Sequence, residues 1–410
     1  MELRKIGIER YKGYAQRAEL ELAPLTILVG PNNSGKTALA QMIQLFAGGL
    51  APTGKAPSEP LPLESGGIQH GGSFEDLVTG RSVHGRLSVA ASLVDDTGEL
   101  SLSATVGNVL LPERPAARQI SEWRFTSGGK EITLERCGFD DRSEYRVAVS
   151  GAATISRQLR WLGLVPLQPY ELADWAEVPF DRLQTWAFGI RHLQCPRRLL
   201  PSPFRIPDDL RLFLGSDGLY TPRVLAADDE LREAVRRWCR SALGTTIDVV
   251  AQGTYFDLVA GAATQDTNVS LAQSGRGLSQ ILPVAVMALT AQKVGQGVDI
   301  IEHPEAELHP AAHGHVAELL IENIVGPVRP LVVETHSEML LLRIRRWVAE
   351  GKLPADNVLV YWIFAEPGSG SLLRKIRIND KGELSSWPAG VFIEDYDEIL
   401  AIRRAARSNG

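Results

Sequence analysis

Near the start of the chain, residues 30–37 have the residue types and the spacing that bind phosphate groups. The stretch GPNNSGKT matches the pattern G-x-x-x-x-G-K-[ST], and it lies between an apolar run and a run of helix formers. Glycines let backbone N–H groups turn toward phosphate oxygens, and the N-terminus of a following helix adds partial positive charge. Lys36 would neutralise the β- and γ-phosphates, and the Thr37 hydroxyl would bind Mg²⁺.

This stretch therefore predicts a nucleotide site with Mg²⁺. The alternative is a glycine turn with a chance lysine, and the strand-like and helix-like flanks argue against it. The predicted nucleotide-binding residues are Gly30, Pro31, Asn32, Asn33, Ser34, Gly35, Lys36, Thr37 and Ala38.

A second stretch, VDIIEHPEAELHP at residues 298–310, ends an apolar run with acidic residues. Glu302 stands at the predicted strand end, where phosphate-loop ATPases place the carboxylate that holds Mg²⁺ through water. Glu305 and Glu307 follow in the turn. Solvated acids after a core strand are the alternative interpretation, and the phosphate loop upstream favours the metal site.

A Ser-Gly-x-Gly turn opens an apolar helix in the stretch QSGRGLSQILPVAVMAL, residues 273–289. Ser274, Gly275 and Gly277 would expose N–H groups at a helix N-terminus and form a second anion-binding site. Because the chain already has one phosphate loop, a second such site predicts that two subunits share each nucleotide. The alternative is an ordinary helix N-cap provided by Ser274.

The stretch LVVETHSEML, residues 331–340, places His336 just after another apolar run. A histidine at this strand end would be able to hydrogen-bond the γ-phosphate. A single histidine is more often structural. The order of the four stretches along the chain favours the functional interpretation.

Hydrophobic patterning predicts the elements that would position these residues. Apolar runs at Leu25–Val29, 298–301 and 331–333 are typical of strands buried in a parallel sheet. Short alternating segments between residues 85 and 150 predict an antiparallel sheet beside that core. Residues 151–245 are predicted to be mostly helical, with proline-rich breaks. Further predicted strands cover 5–11 and 18–22, and predicted helices cover 38–46, 278–290, Pro310–Ile324 and 338–350.

Composition limits the class of protein. A chain of 410 residues with 44% hydrophobic residues suits one large domain with an insertion, or two domains. The net charge of -6 argues against a uniformly basic nucleic-acid binder, and three scattered cysteines argue against a disulfide framework. The start MELRKIGIERYKGY lacks a signal-peptide pattern, and the longest apolar stretch, residues 281–291, is too short to cross a membrane. We therefore expect a soluble cytoplasmic protein without a membrane partner.

The order of phosphate loop, Ser-Gly-x-Gly helix, acidic strand and strand-to-histidine resembles the ABC-type ATPase heads, and not the AAA+ or RecA groups. GPNNSGKT, SGRGLSQILP, IEHPEAELHP and ETHSEML are most similar to the bacterial RecF/OLD-like, or SMC-like, branch. Within it, they resemble small stand-alone AAA-family ATP-binding proteins that end in a short C-terminal domain of unknown function. The stretches that extend this resemblance are GGSFEDLVTG at 71–80, HLQCPRRLLPSPFR at 192–205 and DKGELSSWPAGVFIEDYDEIL at 380–400.

The resemblance implies an α/β P-loop fold of the ABC ATPase type. Its core sheet would be mostly parallel, with an antiparallel β subdomain and an inserted helical region. The implied divisions are an N-terminal ATPase lobe at 1–150, a mainly helical insertion at 151–265, a C-terminal ATPase lobe at 266–365 and a short C-terminal domain at 366–410.

The resemblance also implies roles for particular residues. Residues 30–37 would bind ATP and Mg²⁺, Glu302 would be the metal acid and His336 the switch histidine. Residues 274–277 would form the signature that closes over the ATP of the other subunit. Gln69 is a candidate for the loop glutamine that senses Mg²⁺. Tyr11 or Tyr14 would either stack on adenine or belong to the core.

The chain departs from many ABC ATPases directly after the metal acid. Many of them carry a glutamate there as general base, whereas this chain has His303. A neutral histidine accepts a proton near pH 7, but it lacks a fixed negative charge. Glu305 or Glu334 would be the substitutes. The resulting catalytic set is Lys36, Glu302, His303, Glu305 and His336, and the metal set is Thr37, Glu302 and Gln69.

Three classes of function remain open from the sequence. The first is an ATPase that closes as a homodimer on ATP and drives or licenses a partner. No nuclease domain is evident after His336, and the resemblance implies a separately encoded effector, for which a nuclease is one candidate. Such relatives often work in phage defence or DNA repair.

The second class is a nucleotide-gated binding scaffold with little hydrolysis, which the His303 position favours. The third is a DNA-binding clamp. Residues 191–240 hold ten arginines against seven acids, and the stretch LLRIRR at 341–346 adds three more. Solvated helix faces and dimer salt bridges account for arginine clusters of this kind more commonly than DNA does.

Overall fold

In a computed structural model of the chain, the residues described are 1–52, 59–109, 117–138, 143–167, 178–201, 203–204, 213–253, 255–262, 268–324, 329–387 and 402. The strands are β1 (Glu2–Glu9), β2 (Ala18–Glu21), β3 (Leu25–Val29), β4 (Glu64–Ser65), β5 (Ile68–Gln69), β6 (Arg86–Asp95), β7 (Gly98–Val109), β8 (Ala117–Ser127), β9 (Lys130–Arg136), β10 (Glu144–Val149), β11 (Ile155–Gln158), β12 (Trp161–Leu162), β13 (Val165–Pro166), β14 (Arg191–Leu193), β15 (Thr245–Gln252), β16 (Tyr255–Ala262), β17 (Asn268–Ser270), β18 (Asp299–Glu302), β19 (Leu331–Glu334), β20 (Val358–Glu366) and β21 (Gly370–Arg377). The helices are α1 (Lys36–Leu50), α2 (Phe180–Phe188), α3 (Thr221–Ala227), α4 (Asp229–Leu243), α5 (Arg276–Leu289), α6 (Pro310–Ile324) and α7 (Glu338–Ala349).

The core is a six-stranded sheet in the order β14-β18-β19-β3-β20-β21. All neighbouring pairs are parallel except β20 with β21. Every residue of β3, β18 and β19 is buried, as expected for central strands that are covered on both faces. Because parallel strands end at the same edge of a sheet, the loops after β3, β18 and β19 share that edge. The predicted parallel core is therefore confirmed.

The predicted antiparallel sheet is also confirmed, and it is larger than expected. Its eight strands follow the order β11-β10-β9-β8-β7-β6-β1-β2, so the first two strands of the chain belong to it and not to the core sheet. Helix α1 packs in the apolar layer between this sheet and one face of the core sheet, and within that layer Phe46 of α1 contacts Trp186 of α2. Helices α3 to α7 pack in the layer on the other face.

The prediction of a mainly helical segment over residues 151–265 is wrong in part. Strands β11, β12, β13, β15 and β16 lie there, and β14 joins the core sheet beside β18. The segments TTIDVVAQ and YFDLVAGA are rich in β-branched and aromatic residues, which favour an antiparallel hairpin over a helix.

The predicted C-terminal domain lies partly outside the described residues, which end at 387 apart from residue 402. Before that point, β21 extends the core sheet as the partner of β20. None of the helices in the described ranges is long and apolar enough to cross a bilayer.

A buried ion cluster fixes the starts of two core strands. Asp299, the first residue of β18, accepts hydrogen bonds from Arg191 Nε at 2.9 Å and from Arg329 Nε at 3.1 Å. Arg191 begins β14, and Arg329 precedes β19. Asp299 is 4% exposed and Arg329 is 8% exposed, so neither is well solvated. The cluster thereby joins neighbouring strands at the edge opposite to the phosphate loop.

We expect Asp299→Ala to lower the free energy of unfolding by about 3–5 kcal/mol, because it leaves two guanidinium groups without their carboxylate. Urea unfolding followed by tryptophan fluorescence measures the change. The control is Asp356→Ala, since Asp356 is exposed. Equal unfolding midpoints for the two variants would show that the cluster contributes nothing.

Candidate functional site

The phosphate loop lies between the carboxyl end of β3 and the start of α1. Gly35 has φ of +105°, which glycine adopts at far lower cost than other residues. A Cβ atom at Gly30 would come within 2.0 Å of the carbonyl oxygen of Ile363, so β20 excludes a side chain there. Tyr14 Oη donates a hydrogen bond to the carbonyl oxygen of Gly35 at 3.0 Å. Neighbouring elements therefore hold the loop in one shape.

Lys36 lies across this loop and is only 3% exposed. Its Nζ donates hydrogen bonds to the carbonyl oxygens of Gly30 at 3.1 Å and Pro31 at 2.8 Å. Burial lowers the pKa of Lys36, and the nearby carboxylate of Glu334 opposes that shift. A phosphate in the loop would offer the ammonium group a charged acceptor in place of two neutral ones.

The Thr37 hydroxyl contacts Glu334. The sequence predicts this acid only as a possible substitute for the general base and not as a metal ligand. Thr37 Oγ1 donates to Glu334 Oε1 at 2.9 Å, across 297 positions of the chain. Glu334 ends β19 and is 2% exposed. Burial, together with the charge of Glu302, raises the pKa of Glu334. The order β18-β19-β3 explains the contact, because β19 is the direct neighbour of the phosphate-loop strand.

Glu302, the predicted metal acid, also ends its strand at this edge and pairs in register with Glu334. Its two carboxylate oxygens, however, contact groups on the other side of β18. Oε1 lies 2.9 Å from Nε2 of His192 in β14, and Oε2 accepts from the backbone N–H of Cys195 at 3.1 Å. The structure therefore places Glu302 beside the site with both oxygens already hydrogen-bonded.

Two histidines stack over the same edge. The rings of His303 and His336 are 4.8 Å apart between centroids, with an angle of 8° between their planes. His303 Nδ1 lies 3.7 Å from Glu305 Oε1, and His303 Nε2 lies 3.7 Å from Glu334 Oε1. Burial opposes the positive charge on His303, but the neighbouring carboxylates of Glu305 and Glu334 together raise its pKa. Partial burial and the charge of Lys36 lower the pKa of His336.

Glu305 connects the two loops that carry the histidines, the loop after β18 and the loop after β19. Its Oε1 accepts hydrogen bonds from Thr335 Oγ1 at 2.7 Å and from the backbone N–H of His336 at 3.1 Å. Burial disfavours its charge, yet the neighbouring His303 ring and the hydrogen bond from Thr335 hold its pKa below the ordinary value. Glu305 is thus an ionised, buried acid that orients its neighbours.

The Ser-Gly-x-Gly turn lies at the start of α5. Gly275 precedes the helix, and Ser274 Oγ donates to the carbonyl oxygen of Leu271 at 2.9 Å instead of capping the helix. Gly275 is exposed with open space beside its Cα, whereas a Cβ at Gly277 would come within 2.8 Å of the carbonyl oxygen of Glu307. Ser274 therefore does not cap the helix, and the backbone of the turn is exposed to solvent at Gly275.

A buried arginine, which the sequence did not single out, connects α5 to the end of β18. The backbone N–H of Arg197 donates to Gln280 Oε1 at 2.9 Å, and Gln280 Nε2 donates to the carbonyl oxygen of Arg197 at 2.8 Å. The Arg197 guanidinium donates to the carbonyl oxygens of Glu302 at 2.5 Å and His303 at 3.3 Å. Burial lowers the pKa of Arg197 to about 10, which leaves it cationic at neutral pH. In the sequence, Arg197 belongs only to wider patterns, the resemblance of residues 192–205 and the arginine-rich stretch 191–240.

Comparison with known proteins agrees with this architecture. Residues 1–59, which include β1 to β3, the phosphate loop and α1, match the family described as the AAA ATPase domain. A solved structure of an SMC head bound to the C-winged helix domain of ScpA aligns with a TM-score of 0.51 at 12% identity, over 92% of this chain and 98% of that chain. The chain has the fold of an SMC head.

Two further SMC heads align with TM-scores of 0.46 and 0.49. The SMC head domain from Thermotoga maritima shares 12% identity over 92% of this chain and 100% of that chain. The Smc head domain with an extended coiled coil, bound to the C-terminal domain of ScpA derived from Pyrococcus furiosus, shares 12% identity over 98% of this chain and 99% of that chain. A search of curated proteins gives no match.

Within this SMC-head fold, three further candidate residues, Gln69, Tyr11 and Tyr14, do not form part of an exposed nucleotide surface at the phosphate loop. Gln69 is exposed, and its Nε2 donates to the carbonyl oxygen of Gly71 at 2.5 Å. The structure brings it into no hydrogen bond with Thr37 in the described part of the chain. Tyr11 and Tyr14 are both 0% exposed, so they are core aromatics and not surfaces for adenine.

Proposed function

We propose that the chain binds ATP with Mg²⁺ and hydrolyses it, and that two copies close on the nucleotide to drive or license a partner. The observation that carries the proposal is the convergence of Lys36, Thr37 and the acids that end β18 and β19 on one sheet edge. Phosphoryl transfer needs positioning and charge neutralisation more than covalent chemistry. A shaped backbone loop, a buried ammonium and nearby carboxylates supply both.

The residues at this edge fit Mg²⁺. The ion prefers oxygen ligands and is usually held by one or two carboxylates together with phosphates and water. Thr37 Oγ1 lies beside Glu334, whose Oε2 is buried without a hydrogen-bond partner in the described residues. Glu302 would contribute through water. Bound there, Mg²⁺ would neutralise charge on the phosphates.

His303 takes the position of the general base in this proposal. Glu305 would fix the ring through Nδ1, and a base whose ring is oriented by a carboxylate is a recurring catalytic arrangement. His336 would lie over the γ-phosphate side of the site, stacked on His303.

The exposed turn at residues 274–277 supports a site shared between two copies. Its open backbone would cover the phosphates bound by the other copy. Arg197 and Gln280 would connect this turn to the carbonyl groups of Glu302 and His303 in the same chain. The partner proposed is a separately encoded effector, such as a nuclease. A role in phage defence or DNA repair rests on the resemblance alone.

The second candidate is a nucleotide-gated scaffold with negligible turnover, which His303 in place of glutamate favours. The DNA clamp has less support. Arg198, Arg232 and Arg236 form ion pairs with acids of the same chain, and Arg343 pairs with Glu318. Arginines that are paired within the chain are less available for DNA phosphates.

We expect His303→Gln to lower the rate of phosphate release by about 100-fold, because glutamine cannot accept the proton of the attacking water. The affinity for ATP should stay near the wild-type value. The wild-type rate should rise with pH above about 6.5, since the base works only when neutral and its pKa is raised.

Phosphate release and calorimetric ATP binding test this prediction. The matched control is His315→Gln, because His315 lies on α6 and pairs with Glu318. ATP binding without phosphate release in the wild type, unchanged in both variants, would favour the scaffold.

A further inference from the structure

We infer that Glu334, at the end of β19, is the carboxylate that binds Mg²⁺ together with Thr37, and that Glu302 is a positioning residue behind it. This inference rests on the proposed ATP-binding function. The sequence pattern places the metal-binding carboxylate at the end of β18, whereas this inference places the carboxylate that contacts the ion directly at the end of β19.

The first observation is the contact between Glu334 and Thr37, the last residue of the phosphate-loop motif. Glu334 Oε1 accepts from Thr37 Oγ1 at 2.9 Å, so this carboxylate already touches the hydroxyl that would bind the ion. Its second oxygen, Oε2, is buried and has no hydrogen-bond partner in the described residues. With Glu334 only 2% exposed, bulk water does not satisfy that oxygen. A cation would satisfy it.

The second observation is that each carboxylate oxygen of Glu302 already has a hydrogen-bond partner away from Thr37. His192 Nε2 lies 2.9 Å from its Oε1, and the Cys195 N–H donates to its Oε2 at 3.1 Å. Turning Glu302 toward Thr37 would take from the His192 imidazole, which is 5% exposed, its hydrogen-bond partner in the interior. Glu302 is therefore held where it supports the end of β18.

Strand order gives the third reason. β19 lies between β3 and β18, and neighbouring strands are about 4.8 Å apart. The end of β18 is thus about 10 Å from the strand that leads into the loop, twice the distance of β19. An acid on β19 reaches the Thr37 hydroxyl directly, as Glu334 does. From β18, the carboxylate would need a bridging water.

The charges around Glu334 are unbalanced. Glu302 and Glu305 lie nearby, and the facing groups with positive or potential positive charge are Lys36 and His303. Lys36 would turn to the phosphates when a nucleotide binds. A divalent cation at Thr37 and Glu334 would then compensate the acids as well as the phosphates.

The experiment measures the affinity for a non-hydrolysable ATP analogue by calorimetry, once with Mg²⁺ and once with EDTA. The dissociation constant in EDTA divided by the dissociation constant with Mg²⁺ gives a ratio that reports metal binding without any turnover. We expect Glu334→Gln to reduce this ratio by about 10-fold or more, as the loss of a metal contact does. The matched Glu302→Gln variant should reduce it less. Affinity in EDTA should not fall in either variant, because neither carboxylate contributes a favourable contact to the phosphates when no metal is bound, and retained binding shows that each variant remains folded.

A double-mutant cycle provides the second measurement. If Thr37 and Glu334 hold one ion, Thr37→Val and Glu334→Gln should not be additive in that ratio. A larger loss with Glu302→Gln than with Glu334→Gln would overturn the assignment and leave the proposed function standing. A Glu334→Gln variant that loses phosphate release but keeps the wild-type ratio of dissociation constants would also overturn the assignment and leave the proposed function standing. A wild-type chain that binds no nucleotide would overturn both.

Discussion

Lys36→Ala should lower ATP-dependent phosphate release by about 100-fold or more, the usual cost of removing one preorganised charge-stabilising group. Lys36 is the buried cation of the loop, and its ammonium lies between the carbonyl oxygens of Gly30 and Pro31. Without it, the loop would present backbone N–H groups and a helix N-terminus to the triphosphate but no full positive charge. ATP affinity should fall as well, because the same ammonium neutralises bound phosphates.

The fold should survive this substitution, since among the described residues the Lys36 ammonium donates hydrogen bonds only within its own loop. Thermal melting without nucleotide checks that point. Lys352→Ala is the control, because Lys352 pairs with Glu350 and is largely exposed. Phosphate release that is equal in Lys36→Ala and wild type would mean that another protein supplied the activity or that this loop is not the site.

Mixing two inactive variants should restore activity if two copies share each nucleotide. Ser274→Arg places a long side chain on the exposed turn before α5, where it would block the approach of the other copy's phosphates. Alone, this variant should bind ATP but release little phosphate. Mixed with an equal amount of Lys36→Ala, it should recover up to about half of the wild-type rate, because each mixed dimer has one complete site of two and neither variant forms a complete site with itself.

Light scattering with and without ATP accompanies the mixing experiment. The wild type should shift toward the dimer mass with ATP, and His303→Gln should accumulate the dimer because it hydrolyses slowly. Ser274→Arg should remain monomeric at the same ATP concentration. No recovery in the mixture, together with a mass that never changes, would show that each chain works alone.

The sequence by itself determined the local units around the site. The apolar run Leu25–Val29 followed by glycines and helix formers gave β3, the phosphate loop and α1. Helix α6 spans Pro310–Ile324 as predicted, and α5 and α7 differ from their predicted bounds by one or two residues. These features depend on side chains close together in sequence, where periodicity and glycine spacing carry the information.

The three-residue strand β14 was not predictable, because so short a run has no periodicity and its place beside β18 depends on pairing with a strand over 100 residues away. The hairpin of β15 and β16 carries a strand signal in its β-branched residues, which favours strands over the helix predicted for this part of the chain.

Only the tertiary structure decided which acid meets Thr37. The sequence ranks Glu302 first because it follows the strand pattern of ATPases, yet Glu334 makes the contact across 297 positions. Likewise, Arg197 reaches α5 and β18 only after the chain has folded. Local composition determines that strands end in acids, whereas the order of strands in a sheet, set by long-range pairing and burial, determines which acid stands next to the loop.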